Sequence, residues 1–240
     1  FFNSIGLMAI GWTDYRTDKY YFHEDGIMQT GMMEMDGQKY RFEENGVYHP
    51  IKICLDAGHY AKYNRSTVVA EYWESDFTWK IHLYLKDALE AYGIEVITTR
   101  EDKDTDLGLK TRGRTSEGCD LFLSLHSNAC NNPSIDAPLA CCQINGSADE
   151  LGQMLANLVA EVMETKQKGT IWKRPGTKEP DKDWYSVLYG AAEVGTPGIL
   201  LEHSYHTNLR STNWLLNDDN VKRMADAEAE LLARYFDMIE

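Results

Sequence analysis

The sequence predicts an α/β protein with a mostly parallel sheet and helices on both faces, preceded by a small N-terminal segment of β-hairpin repeats. Two observations carry this expectation. From residue 51 onward, short apolar runs alternate with stretches of helical spacing, and strands alternating with helices build parallel sheets covered on both sides. Before residue 51 a 20-residue period replaces that pattern, and periods of this size mark small units stacked on one another. A chain of 240 residues can hold one sizeable α/β domain plus such an appendage.

The repeats come first along the chain. Phe2, Phe22 and Phe42 lie 20 apart, and Gly6, Gly26 and Gly46 keep step with Leu7, Ile27 and Val47. Each unit runs through aromatics, a few polar residues, a glycine and an apolar residue, as in Tyr20-Tyr21-Phe22-His23-Glu24-Asp25-Gly26-Ile27. That predicts a strand, a glycine turn and a second short strand, unable to bury its face alone. The series starts in mid-unit and the chain opens without an initiator Met or a leader, so further repeats are expected upstream. His49-Pro50 ends the repetition, which places the expected parts at 1–50 and 51–240.

Strands are then predicted at Ile51–Leu55, Ile94–Thr98, Asp120–Leu125, Ala140–Ile144 and Gly198–Leu201. Phe77, Ile81, Leu85 and Ala88 recur at helical spacing and stop at Gly93; Val221, Met224, Glu228, Leu231, Tyr235 and Phe236 mark a final helix. The net charge is -14. A nucleic-acid binder needs a basic stripe, and none is present; the same balance argues against adsorption to anionic membranes or polymers by charge. No apolar run approaches the roughly 20 residues that span a bilayer. Of the five cysteines, Cys54 and Cys119 read as small core residues, whereas Cys130, Cys141 and Cys142 could support one disulfide.

Three polar residues end three of the predicted strands: His59 after Ile51–Gly58, His126 after Leu121–Leu125, and Glu202 after Ile199–Leu201. In open α/β sheets ligands bind outside the carboxyl ends of the strands, so all three can meet at one edge. A catalytic zinc takes three His or carboxylate ligands and leaves a position for water. Glu74 is the best third ligand because it starts the helix of Phe77 and Ile81; Glu71, one turn earlier, is its rival. The other histidines His23, His49 and His82 read as ordinary hydrogen-bonded residues. Ser124 and Ser127 flank His126 with no base to activate them and read as structural. Trp172, Trp184 and Tyr185 either line a saccharide or peptide groove or pack as core.

Leu55-Asp56-Ala57-Gly58-His59, Glu74 opening a long helix, Ser124-Leu125-His126-Ser127-Asn128-Ala129, and Leu201-Glu202 followed by Asn208 together resemble the zinc-dependent N-acetylmuramoyl-L-alanine amidases of the amidase-3 type. Arg100 and the Leu109…Arg112 spacing also fit. The resemblance runs from about residue 51 to the C-terminus. It implies that His59, Glu74 and His126 hold Zn2+ and that Glu202 is the catalytic acid/base. The implied reaction is cleavage of the amide between the lactyl group of N-acetylmuramic acid and L-alanine in peptidoglycan. Two stretches depart from the pattern: Tyr60-Ala61-Lys62-Tyr63-Asn64 replaces a glycine-rich turn, and His203-Ser204-Tyr205-His206 is rich in histidine. The N-terminal period is similar to the choline-binding-like, cell-wall-binding repeats of Gram-positive surface proteins and phage lysins, which implies attachment to a wall polymer and an extracellular place. Trp12 keeps one aromatic cage position, but Lys19 and Met32 stand where that family places tryptophans, which argues against choline itself. Two rival readings are a wall-binding protein with an inactive α/β domain and a zinc peptidase acting on stem peptides.

Overall fold

A computed structural model describes residue 1 and residues 6–239; Phe2, the first member of the phenylalanine series, lies outside the described residues. Two antiparallel hairpins open the chain, β1 (Gly11–Tyr15) with β2 (Asp18–Phe22) and β3 (Gly31–Met35) with β4 (Gln38–Phe42). Each turns through two residues, Arg16-Thr17 and Asp36-Gly37, with Arg16, Asp36 and Gly37 at positive φ, the backbone that matches the strand twist. The units stack: a Cβ added at Gly26 would meet the Met8 sulfur and one at Gly46 the Met28 sulfur, both at 2.5 Å or less. Trp12 packs within 5.6 Å of Tyr21, Tyr40, Phe42 and Tyr48, so aromatic rings stand in for a core.

The remaining elements are β5 (Lys52–Ala57), α1 (Glu74–Ala91), β6 (Glu95–Thr98), α2 (Leu109–Arg114), β7 (Leu121–Asn128), β8 (Leu139–Cys142), α3 (Asp149–Met163), β9 (Thr170–Trp172), α4 (Ser186–Glu193), β10 (Gly198–Tyr205), α5 (Leu209–Leu216) and α6 (Asp218–Tyr235). They form one six-stranded sheet in the order β6-β5-β7-β10-β8-β9. β6, β5, β7 and β10 run parallel, while β8 pairs with β10 antiparallel and β9 follows β8. The expected α/β architecture is therefore present, with an antiparallel edge. β9 is additional to the expected strands, because its three residues, Thr170-Ile171-Trp172, are too few to carry a period.

Helices cover both faces. Ile53, Leu55, Leu123, Leu125, Ile199 and Leu201 face the larger cluster with Phe77, Ile81 and Leu85 of α1 and Leu155 of α3. Alternate residues of the same strands, Cys54, Phe122 and Leu200, join Val187 and Leu188 of α4 on the other side. Strands buried on both faces read as continuous apolar runs, and burying each such side chain contributes about 1.5–3 kcal/mol. All five cysteines are free thiols, so the disulfide open among Cys130, Cys141 and Cys142 is not formed. No helix among the described residues is long and apolar enough to cross a membrane.

His82 of α1 is 2% exposed and hydrogen-bonds the Trp79 carbonyl. Burial, helped by Arg100, pushes its pKa from 6.5 down to about 4 despite that bond. Between these values the unfolded chain binds a proton that the folded protein refuses, so stability rises with pH across this window and is lost as pH falls through it. From pH 7 to 4 the parent should lose roughly 3 kcal/mol through this group, and His82→Gln should not. Urea denaturation at each pH checks this; parallel pH profiles for the two proteins would refute it.

Candidate metal centre

The site is assembled at the carboxyl edge of β5, β7 and β10. The chain leaves β5 through Gly58, where an added Cβ would stand 2.4 Å from His126 Cε1 and 2.6 Å from the Leu125 carbonyl oxygen. Glycine is required there so that the two loops can touch. The next turn does without further glycines: His59, Ala61 and Asn64 take φ of 62, 48 and 51°, a left-handed backbone that costs about 1–2 kcal/mol per residue. Side chains hold it in place. Thr78 Oγ1 donates to the Gly58 carbonyl at 2.6 Å, Ser75 Oγ to that of Ala61 at 2.9 Å, and Arg112 Nη2 to that of His59 at 3.1 Å. Arg100 Nη2 donates to the Ala57 carbonyl at 3.1 Å. In the sequence both arginines stand out only through the resemblance; in the structure they fix the backbone around His59.

Glu74 is the first residue of α1 and its side chain is 2% exposed. Oε1 lies 2.9 Å from His126 Nδ1 and accepts from the Ser127 backbone N–H at 3.0 Å. Oε2 lies 3.2 Å from His59 Nε2 and accepts from Asn64 Nδ2 at 2.7 Å. Burial pushes the Glu74 carboxyl up, but the two imidazoles outweigh it and hold it well below the usual carboxylate range. Glu71, the rival, is exposed and lines a different cavity beside Trp73 and Lys80.

His126 presents Nδ1 to Glu74 because its other nitrogen is engaged. Nε2 is 3.2 Å from Ser124 Oγ, which donates at 2.7 Å to Asp56 Oδ2. Asp56 is fully buried, and its Oδ1 accepts from Thr99 Oγ1 at 2.7 Å with Arg112 Nη1 at 3.6 Å. With its proton spent on Asp56, Ser124 can only accept from His126 Nε2–H, which leaves the Nδ1 lone pair facing inward. Ser124 is thus more than filler. The available sequence signal is the two-residue strand period, which puts Ser124 and His126 on one face; the pairing Asp56↔Ser124 across strands is not visible in the chain.

Glu202 stands directly opposite His126 in the β10–β7 register. Burial first, then the Glu74 charge, pushes its carboxyl well above the usual range, against the pull of His203. Its Oε2 is buried and has no hydrogen-bond partner among the described residues. Immediately afterwards the β10 ladder slips between Glu202 and Tyr205, with Ser204 at φ 124°. Ser204 Oγ donates to the Asp136 carbonyl and bonds Ser211 Oγ, each at 2.9 Å. Such irregularities re-aim side chains beside active sites. Behind them, fully buried His203 reaches the His126 carbonyl at 3.0 Å and Glu228 Oε1 at 2.7 Å. Burial disfavours the His203 imidazolium, but Glu228 raises its pKa overall. Asn208 caps α5 by accepting from the Ser211 N–H.

His59, Glu74 and His126 each bring one ligand atom to within 4.8 Å of the others. Two imidazole nitrogens and a carboxylate oxygen are the donor set of a catalytic zinc, and these residues fit such an ion: one carboxylate is held ionised between imidazoles, and a second, Glu202, lies alongside with an oxygen uncommitted. The four line a cavity of about 620 Å³ together with Tyr185 and His206. Tyr185 belongs to the groove, whereas Trp172 and Trp184 are 45% and 44% exposed around Arg174, which sits 3.5 Å over the Trp184 ring. His23 and His49 are ordinary surface groups bonded to Gln29 and Glu43.

Residues 53–234 match the N-acetylmuramoyl-L-alanine amidase (amidase-3) family. No curated protein matches the sequence significantly. Among solved structures, the fold is similar to the catalytic domain of CwlV, an N-acetylmuramoyl-L-alanine amidase from Bacillus (Paenibacillus) polymyxa var. colistinus, with TM-score 0.63, 23% identity, and coverage of 79% of this chain and 99% of that one. It is also similar to an N-acetylmuramoyl-L-alanine amidase from Clostridium difficile 630, with TM-score 0.67, 20% identity, and coverage of 79% and 98%. The CwlD amidase from Clostridioides difficile, solved with the GerS lipoprotein, gives TM-score 0.66 and 20% identity over 79% and 100%. At these identities the structural likeness establishes the fold, and the match across most of the chain establishes the family: the protein belongs to the N-acetylmuramoyl-L-alanine amidases of the amidase-3 type and is an enzyme of that class.

Proposed function

We propose that His59, Glu74 and His126 hold a zinc ion and that Glu202 is the acid/base in hydrolysis of the amide joining the N-acetylmuramic acid lactyl group to L-alanine in peptidoglycan. The observation that carries this reading is the buried Glu74 carboxylate, within 3.2 Å of both imidazoles, with Glu202 across the ladder from His126. Bound there, zinc supplies Lewis acidity to the scissile carbonyl and lowers the pKa of water from about 15.7 to roughly 7. The chain's own residues do the rest. Glu202 Oε2 takes a proton from the attacking water and returns it to the alanine nitrogen, which must be protonated to leave as an amine. Two carboxylates with opposite displacements of pKa are the usual mark of such divided roles. Ser124 and Asp56 keep His126 in the tautomer that offers Nδ1.

We further assign residues 1–50 to attachment on a cell-wall polymer and residues 51–240 to catalysis, which sets the protein to work at the wall. An enzyme of net charge -14 gains nothing from bulk electrostatics near an anionic wall, so a separate anchor is needed. The Trp12 ring is not open to a quaternary ammonium on the side of Lys19, whose Nζ lies 4.8 Å from the ring centroid.

Purified protein should release new N-terminal alanine from peptidoglycan and lose that activity on chelation; new reducing ends without new amines would mean a glycosidase, and cut stem peptides by mass spectrometry would mean a peptidase. Glu202→Gln should lower turnover by about 10²–10⁴-fold while metal analysis still finds zinc, and His59→Ala or His126→Ala should lose the zinc itself. A parent protein no faster than Glu202→Gln would favour an inactive wall binder. Ser124→Ala should weaken zinc binding by about 10–100-fold in competition with a chelator; unchanged affinity would remove the relay from the account.

A further inference from the structure

His206 is the cavity-lining histidine that the amidase reading leaves without a task. It is 4% exposed, and its ring stacks on Tyr72 at 5.7 Å and 25°. Its backbone is tied on both sides: the N–H donates to the Asn128 carbonyl at 2.8 Å, and the carbonyl accepts from Ser66 Oγ at 2.6 Å. Nδ1 lies 2.9 Å from Ser127 Oγ, and Ser127 Oγ lies 2.7 Å from the Tyr72 hydroxyl. Nε2 has no hydrogen-bond partner among the described residues.

The direction of this chain of bonds can be worked out. Tyr72 is 1% exposed and its hydroxyl has Ser127 Oγ as its single partner among the described residues. If Ser127 donated to Tyr72, the phenol proton would be buried with nothing to accept it, a costly outcome that proteins avoid. Tyr72 therefore donates to Ser127, and Ser127 donates to His206 Nδ1. A neutral imidazole that accepts at Nδ1 carries its proton on Nε2. Burial lowers the His206 pKa against the opposite pull of the Glu74 charge and the Ser127 backbone, in the direction of the neutral ring that acceptance at Nδ1 requires. An N–H nitrogen has no lone pair to offer a metal, so the relay makes His206 a donor, not a fourth ligand.

We propose that His206 Nε2–H donates a hydrogen bond to the carbonyl oxygen of the scissile amide as negative charge develops on it, making His206 a further catalytic residue; this rests on the amidase reading above. Donors fixed in advance at such a position stabilise the transition state because they need no reorganisation during the reaction. Of the other side-chain amide and guanidinium donors lining the cavity, Arg112 and Asn64 are committed to the His59 and Leu107 carbonyls and to Glu74, and Asn128 is held through its Oδ1, which accepts from the Ala129 N–H. His206 follows the slip of β10 after Glu202 and lines the same cavity as the acid/base.

The tautomer is read in the whole chain by long-range ¹H–¹⁵N correlation of the His206 ring. A proton on Nε2 with Nδ1 bare is expected, and the reverse overturns the proposal. On peptidoglycan fragments, His206→Ala should lose about 10²–10³-fold in kcat with KM changed by about two-fold at most and zinc content unaltered. His206→Gln, which keeps a donor, should recover part of the loss. Loss of zinc, a loss confined to KM, or full activity in His206→Ala each overturns the role. Should His206→Ala fail to fold, Ser127→Ala, which removes the donor to Nδ1, should lower kcat and let the ring proton redistribute; an unchanged tautomer and kcat would refute the relay. A parent enzyme that releases no alanine defeats the amidase reading and this role together, whereas an active parent matched by His206→Ala defeats this role alone.

Discussion

A carboxylate buried between two imidazoles governs the architecture of this protein. Glu74 is 2% exposed, and an ionised carboxyl so placed is tolerable only if charge and hydrogen bonds surround it. Asn64 and the Ser127 N–H donate to it, and the ring nitrogens of His59 and His126 stand 3.2 and 2.9 Å away. They come from two separate stretches of chain, the turn after β5 and the end of β7, and the requirement brings both to the start of α1. Gly58 follows from the same demand, because any side chain there would collide with His126.

Around that centre, most polar residues hold something other than a ligand. Asp56, Ser124, Thr99 and Arg112 form a buried network that fixes His126 on its own face of the sheet and pins the His59 carbonyl. His203 and Glu228 form a second, gripping the His126 backbone carbonyl from the opposite face. Buried networks of this kind restrict a site to one geometry when every member is satisfied. They also explain how the turn after His59 dispenses with glycine: hydrogen bonds to its carbonyls from Thr78, Ser75 and Arg112 offset the strain of three left-handed residues.

The hairpins obey different physics. They have almost no core of their own, with Phe22 and Phe42 the buried aromatics among the described residues, and depend on stacking one unit's methionine over the next unit's glycine. Their tie to the α/β domain includes Arg41 with Asp120, 2.8 Å apart, and Asp120 also accepts from the Lys52 N–H that starts β5. A salt bridge partly open to solvent contributes little by itself, but this one anchors the hairpins to the first strand of the sheet.

The sequence by itself determined the alternation of strands and helices, the 20-residue period, and the residue types at three strand ends, because each is a local pattern in hydrophobicity or spacing. It also ranked Glu74 over Glu71, since only a helix start lies near the strand edge; Glu71 is exposed. Tertiary structure alone decided the sheet order, the antiparallel pairing of β8, and the short β9, which depend on neighbours rather than on periods. It alone disclosed the relays through Ser124 and Ser127, which look like ordinary hydroxyls flanking a histidine. Their partners, Asp56 and Tyr72, lie 68 and 55 residues away along the chain, and a hydrogen bond of 2.7 Å across such a separation exists only once the strands have been brought into register.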